Sequence, residues 1–237
     1  MQRNQSAPFY AAPQSLSHTL SSHRTQSWAH RSHWDDGPRW PRLLGWHHLG
    51  GHYDVALSAT VFKVELGVSD VDHGYYADHA LTVARHPSET DERMMVRLLA
   101  FGLRAHRLSD VDGELAFGAG LSTPGVPDLR LADYTGRILE WINVGQPDER
   151  ALGKAASQAD QVLLFPFAAG VATWWRTVGP KVAGLANLSV VQIPHAAVQQ
   201  LAQTVDRRIS AQVMVIEGQV TMTVGEANVT FTPEPLE

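Results

Sequence analysis

PDLRLADYTGRILEWINVGQPDERALGKA, residues 127–155, sets a glutamate in the middle of an otherwise apolar strand. In RILEWINVG (137–145), residues two apart share a face, so Ile138, Glu140, Ile142 and Val144 look one way and Leu139, Trp141 and Asn143 the other. Both faces are largely apolar, the pattern of a strand covered on both sides. An ionised carboxylate in such a place must be paired, bound to a metal or open to a cleft. The bland outcome is a salt bridge to an arginine or exposure at a sheet edge.

Working outward, the preceding segment PDLRLADY supplies Asp128, and a hairpin turning at Tyr134, Thr135 and Gly136 is expected to bring it towards Glu140 across the ladder, with a bulge adjusting the register. Two carboxylates that share a site repel unless a divalent cation lies between them. Mg²⁺ or Mn²⁺ takes oxygen ligands of this kind and keeps waters that serve as nucleophiles. Glu89 or Glu92, at the start of the next predicted helix upstream, is the candidate third acid. On the other side, PDERALGKAASQA reads as a helix opened by Pro147. It carries Arg150, Lys154 and Gln158 at four-residue spacing, a polar stripe that either overlooks the acids or is merely solvated.

The rest of the chain alternates strands and helices. YDVALSATVFKVELGVSD and YYADHALTVARH read as strands joined by a turn around Asp72 and Gly74. PSETDERMMVRLLAFGLRAHRL reads as a helix with Ser88 as cap and an apolar stripe through Met94, Met95, Leu98, Leu99 and Leu103. ELAFGAG, DQVLLFPF and LANLSVVQI read as strands, VATWWRTV and HAAVQQLAQTV as helices, and RRISAQVMVIEGQVTMTVGEANVTFTP as two or three antiparallel strands. The expectation is an α/β core sheet with parallel members, flanked by helices and carrying a C-terminal meander.

Composition narrows the classes. A chain of 237 residues is expected to form one domain. Residues 1–50, rich in Ser, His, Gln, Arg and Trp without a sustained period, read as a disordered extension, leaving 51–237 as the folded unit. The absence of cysteine excludes disulfides and thiolate chemistry. No secretory signal or membrane span is evident, so a cytoplasmic location is expected. A net charge of −5 excludes a strongly basic nucleic-acid coat but leaves room for a local basic groove.

From about Tyr53 to Phe231 the chain resembles the YaeQ family of bacterial proteins, through RHPSETDERMMVRLLAF, WINVGQPDERALGKA, the Trp pair of ATWWRTV, and LANLSV. The resemblance implies a fold similar to the restriction-endonuclease-like, PD-(D/E)xK superfamily, and no established reaction. Carried over, the PD falls on Pro127-Asp128, the following acid on Glu140 and the first-helix acid on Glu89 or Glu92. The lysine of the superfamily pattern is replaced by Ile142, and Lys154 is the substitute that a neighbouring helix offers.

Two functions follow as rivals. One is a divalent-metal nuclease or phosphodiesterase with metal on Asp128, Glu140 and Glu92 or Glu89, Lys154 as the catalytic cation, and Arg93, Arg97 and Arg150 on phosphate. The other is a non-catalytic protein, either a module that keeps the fold and binds nucleic acid or a protein, or a structural or interaction protein in which Glu140 is merely ion-paired. Nucleic acid or a small phosphodiester is the expected partner of the first, with no membrane and no organic cofactor.

Overall fold

The computed structural model describes residues 59–118 and 125–237; the extension read at 1–50 lies outside the described residues. Two mixed sheets and four helices are built from these residues. The five-stranded sheet contains β1 (Thr60–Asp70), β2 (Tyr75–Arg85), β8 (Arg208–Ile216), β9 (Gln219–Val224) and β10 (Ala227–Phe231), in the order β10-β9-β8-β1-β2. The six-stranded sheet runs β11-β7-β6-β5-β4-β3, from β3 (Gly113–Phe117), β4 (Leu129–Asp133), β5 (Ile138–Val144), β6 (Gln161–Phe165), β7 (Leu188–Gln192) and β11 (Glu234–Pro235). The helices are α1 (Asp91–Arg104), α2 (Glu149–Ala156), α3 (Val171–Val182) and α4 (His195–Ala202), with a 3-10 turn at Ala105–Ser109.

The mixed α/β class is as expected, but the core is divided between two sheets. The C-terminal strands leave the core sheet because β8 pairs in parallel with β1, Val64 lying opposite Ile209 and Val68 opposite Val213. That pairing carries the antiparallel β8-β9-β10 meander to the N-terminal hairpin. Alternation explains the one-sided burial: Phe62, Val64, Leu66 and Val68 of β1 and Ile209, Ala211, Val213 and Val215 of β8 turn inward, their neighbours outward.

In the other sheet β5 pairs antiparallel with β4 and parallel with β6, and β6 parallel with β7. Its two faces are both covered. Ile142, Val144, Leu163 and Phe165 join the core with α1, α4 and the five-stranded sheet, whereas Trp141, Val162, Leu164 and Val190 pack against α2 and α3. Helix α1 therefore lies in the main core, and every residue from Met94 to Gly102 is buried. A Cβ on Gly102 would come within 3.0 Å of Val213 Cγ2, so glycine here allows α1 to approach β8 closely. The cap of α1 is Thr90, whose side chain accepts from the Arg93 N–H, in place of Ser88. All described residues belong to one compact unit, and no helix among them is long and apolar enough to cross a membrane.

Candidate functional site

The three buried acids on the α1 side are each held by arginines of that helix or the turn after it. Glu140 is 2% exposed. Arg104 Nε and Nη2 donate to its two oxygens at 3.0 and 2.5 Å, and Arg107 Nε donates to Oε1 at 3.0 Å. Asp128 is held by Arg93, whose Nη2 lies 2.6 and 2.8 Å from its two carboxylate oxygens and donates to both. Arg93 Nη1 also donates to the Val144 carbonyl, and the Val144 N–H donates to Asp128, so one guanidinium ties α1 to the ends of both strands. Gly145, at φ 93°, makes this possible: a Cβ there would stand 3.0 Å from Arg93 Nη1. Glu89 pairs with the fully buried Arg97, which donates to both of its oxygens at 3.1 and 3.0 Å and to the Ala84 carbonyl.

The expected convergence of Asp128 with Glu140 is not present. The ladder sets Leu131 opposite Glu140 and Leu129 opposite Ile142, and the bulge falls between Leu131 and Ala132, beyond the stretch that would have to shift. Asp128 is thus three residues along from the position facing Glu140, about 10 Å at strand rise. The two acids meet different arginines eleven positions apart on the chain.

Nor does Lys154 reach Glu140. The carboxylate points to the α1 side of the sheet, and α2 packs on the opposite, Trp141 side through Leu152 and Ala155. Lys154 is exposed, and its ammonium lies against Gly125, in the space a Cβ there would fill. Arg150 is exposed on the same helix, while Gln158 falls in the turn after α2 ends at Ala156, so the stripe is shorter than its spacing suggests. Arg97 is turned inward and cannot meet a phosphate backbone, and Arg93 is engaged by Asp128. Glu92 is half-buried in the first turn of α1 and forms no ion pair among the described residues.

A second cluster was not read from the sequence. Asp70 ends β1, His73 stands in the turn to β2, and His106 lies in the 3-10 turn after α1. His73 Nδ1 lies 2.8 Å and His106 Nδ1 3.4 Å from Asp70 Oδ2, and the two imidazoles stack with centroids 3.8 Å apart. These three residues form a group that could hold a metal ion. Burial, with Arg104 and His73 nearby, lowers the pKa of His106 against the opposing pull of Asp70 and Glu140. The only local signal was the Asp70-x-x-His73 spacing, which is common in turns; His106 arrives by tertiary folding.

The family model described as YaeQ protein matches residues 55–233. "Uncharacterized protein YaeQ" of Salmonella typhi is 40% identical over 168 residues, 70% of this chain and 89% of the relative. Its namesake in Escherichia coli (strain K12) is 39% identical over 166 residues, 69% and 88% of the two chains. The crystal structure of the YaeQ protein from Xanthomonas axonopodis pv. citri matches with a TM-score of 0.70 at 40% identity, covering 76% of this chain and 99% of that one. The YaeQ protein from Pseudomonas syringae matches with the same TM-score at 34% identity, covering 76% and 96%.

Proposed function

The chain belongs to the YaeQ family, and from that premise we propose that its α/β fold is a non-catalytic binding module for nucleic acid, with its inner carboxylates given over to structure. The observation that carries this reading is that Glu89, Asp128 and Glu140 are all buried and all bonded to arginine. A hydrolytic site needs acids that converge on an open metal position beside a cation. Here Asp128 and Glu140 are out of register, and Lys154 stands across the sheet from Glu140.

Of the cations expected on phosphate, Arg150 stays exposed, and Lys154 stands one turn on from it; neither forms an ion pair among the described residues. They give α2 a short basic face on a chain of net charge −5, which suits weak, salt-sensitive contact with a phosphate backbone. A cytoplasmic setting, where nucleic acid is available and a cysteine-free chain needs no oxidant, belongs to the same proposal.

Calorimetric titration of Mn²⁺ into metal-free protein, repeated on Asp128→Ala and Glu140→Ala, separates this reading from hydrolysis. The expected result is no Mn²⁺ binding that depends on these two residues, and no cleavage of DNA or RNA. Saturable binding lost in both folded variants would overturn it. Fluorescence anisotropy with labelled duplex DNA at two salt concentrations tests the basic face. Replacing Arg150 and Lys154 by Ala is expected to weaken binding and to flatten the log K against log salt slope by about 2. An unchanged slope would remove α2 from the interface.

A further inference from the structure

Asp70 and His73 share the turn from β1 to β2, and His106 is brought to them from the 3-10 turn after α1, so the meeting of all three is not a by-product of one local turn. Two of the three groups are fixed. Asp70 is 1% exposed, and its Oδ1 accepts from the His73 backbone N–H at 3.0 Å, which sets the carboxylate plane. The turn itself is tied down from the neighbouring hairpin: Asp72 accepts from the backbone N–H groups of Glu217 and Gly218 at 2.7 and 2.8 Å. His106 is 7% exposed, and its Nδ1 is buried with no hydrogen-bond partner although it faces Asp70 Oδ2 at 3.4 Å. A buried ring nitrogen aimed at a carboxylate without bonding it is an unmet demand for a cation or a proton.

The spacing discriminates between these. Two ligand atoms on a tetrahedral ion, with metal–ligand bonds of about 2.0–2.1 Å, stand about 3.3 Å apart. The Asp70 Oδ2 to His106 Nδ1 separation of 3.4 Å already has that value, and a hydrogen bond would be shorter. The third group is adjustable. The His73 side chain is 52% exposed, and its Nδ1 lies 2.8 Å from the same oxygen, so it needs only to lengthen that contact and tilt out of the stack with His106. Stacked parallel rings cannot both hold one ion in their planes, so tilting is a requirement of binding. The exposed side of His73 leaves the fourth position facing solvent.

We propose that Asp70, His73 and His106 form a site for a divalent transition-metal ion of the zinc class, with three protein ligands and a fourth position open to water or a small anion. Two imidazole nitrogens and one carboxylate oxygen suit zinc and its neighbours and exclude magnesium as the resident ion, since magnesium takes oxygen ligands in an octahedron. The site is separate from Asp128 and Glu89. It neighbours Glu140, which binds Arg104 and Arg107 on either side of His106 and offsets their charge.

The test uses the full-length, tag-free chain, stripped with chelator and titrated with Zn²⁺ and, for its visible absorption, Co²⁺, with excess Mg²⁺ present. Seven of the 12 histidines precede residue 59, so the variants must locate any binding observed. His73→Ala removes an exposed side chain and leaves the core intact; Asp70→Asn and His106→Gln complete the set. The expected result is one tight equivalent per chain, unaffected by Mg²⁺, with a tetrahedral Co²⁺ spectrum. His73→Ala is expected to lower that affinity at least ~10-fold, the cost of losing even an outer-shell partner. Absence of a saturable equivalent in the parent protein, or the same affinity and spectrum in His73→Ala, would overturn the proposal.

Discussion

The two faces of the six-stranded sheet treat charge in opposite ways. On the α1 face, Glu140 and the neighbouring acids are enclosed and matched by guanidinium groups; on the α2 face, Trp141, Val162 and Leu164 pack with apolar partners and the charges of Arg150 and Lys154 stay outside. The difference teaches that a carboxylate in a buried strand can be part of the packing scheme. Arginine suits this role because its planar fork satisfies both oxygens of a carboxylate at once. Net stabilisation need not follow, because burying both charges costs desolvation, but removing one partner alone is severe.

Replacing Arg97 by Ala should therefore show the largest effect, about 3–5 kcal/mol of destabilisation by urea unfolding, because buried Glu89 loses both bonds from Arg97 and keeps only the His86 N–H at 3.3 Å and the Arg93 Nε contact at 3.8 Å. Pairing that change with Glu89→Gln should recover more than half of the loss; a purely additive cycle would show that the pair is not coupled. Asp128→Ala should cost less, about 1.5–3 kcal/mol, because Arg93 retains the Val144 carbonyl and is itself partly exposed. Across the sheet, the Arg150→Ala, Lys154→Ala double variant should stay within about 0.5 kcal/mol of the parent. A loss comparable to that of Asp128→Ala would erase the contrast between the faces.

A pH series sharpens the same comparison at smaller scale. Burial lowers the pKa of both His106 and His79, the latter packed edge-on against Phe101 of α1, with Asp78 opposing the shift at His79. Below the ordinary histidine value of about 6.5 the unfolded chain binds more protons than the folded one. The stability these residues allow is full above that pH and declines as pH falls towards their folded values. Urea midpoints at pH 7.5 and 5.5 should differ in that direction, and His79→Gln should remove part of the difference.

Much of this was legible in the chain. The run RILEWINVG, apolar on both faces, marked β5 and singled out Glu140, and the tail's period of two marked the β8-β9-β10 meander. What periodicity could not supply was partnership. Arg104 and Arg107 precede Glu140 by 36 and 33 positions, and nothing in the spacing of Arg93 and Arg97 showed that buried carboxylates, not phosphate, would take them up. The spacing of Arg150 and Lys154 correctly put them together on α2, but spacing within a helix does not say which side of the sheet the helix covers. The Asp70, His73 and His106 cluster was illegible for the same reason, since its third member is delivered by α1.

The parallel pairing of β1 with β8 also has a consequence in time. Lys63 lies opposite Arg208, so about 145 residues must leave the ribosome before β1 gains its second neighbour and α1 its cover from Val213. At roughly 5–20 residues per second, the inner faces of the β1-β2 hairpin and α1 wait on the order of ten seconds during synthesis. For that interval the nascent chain carries an unpaired strand edge and a helix that lacks its cover from β8, which makes β8 the segment whose arrival closes the window for misassembly.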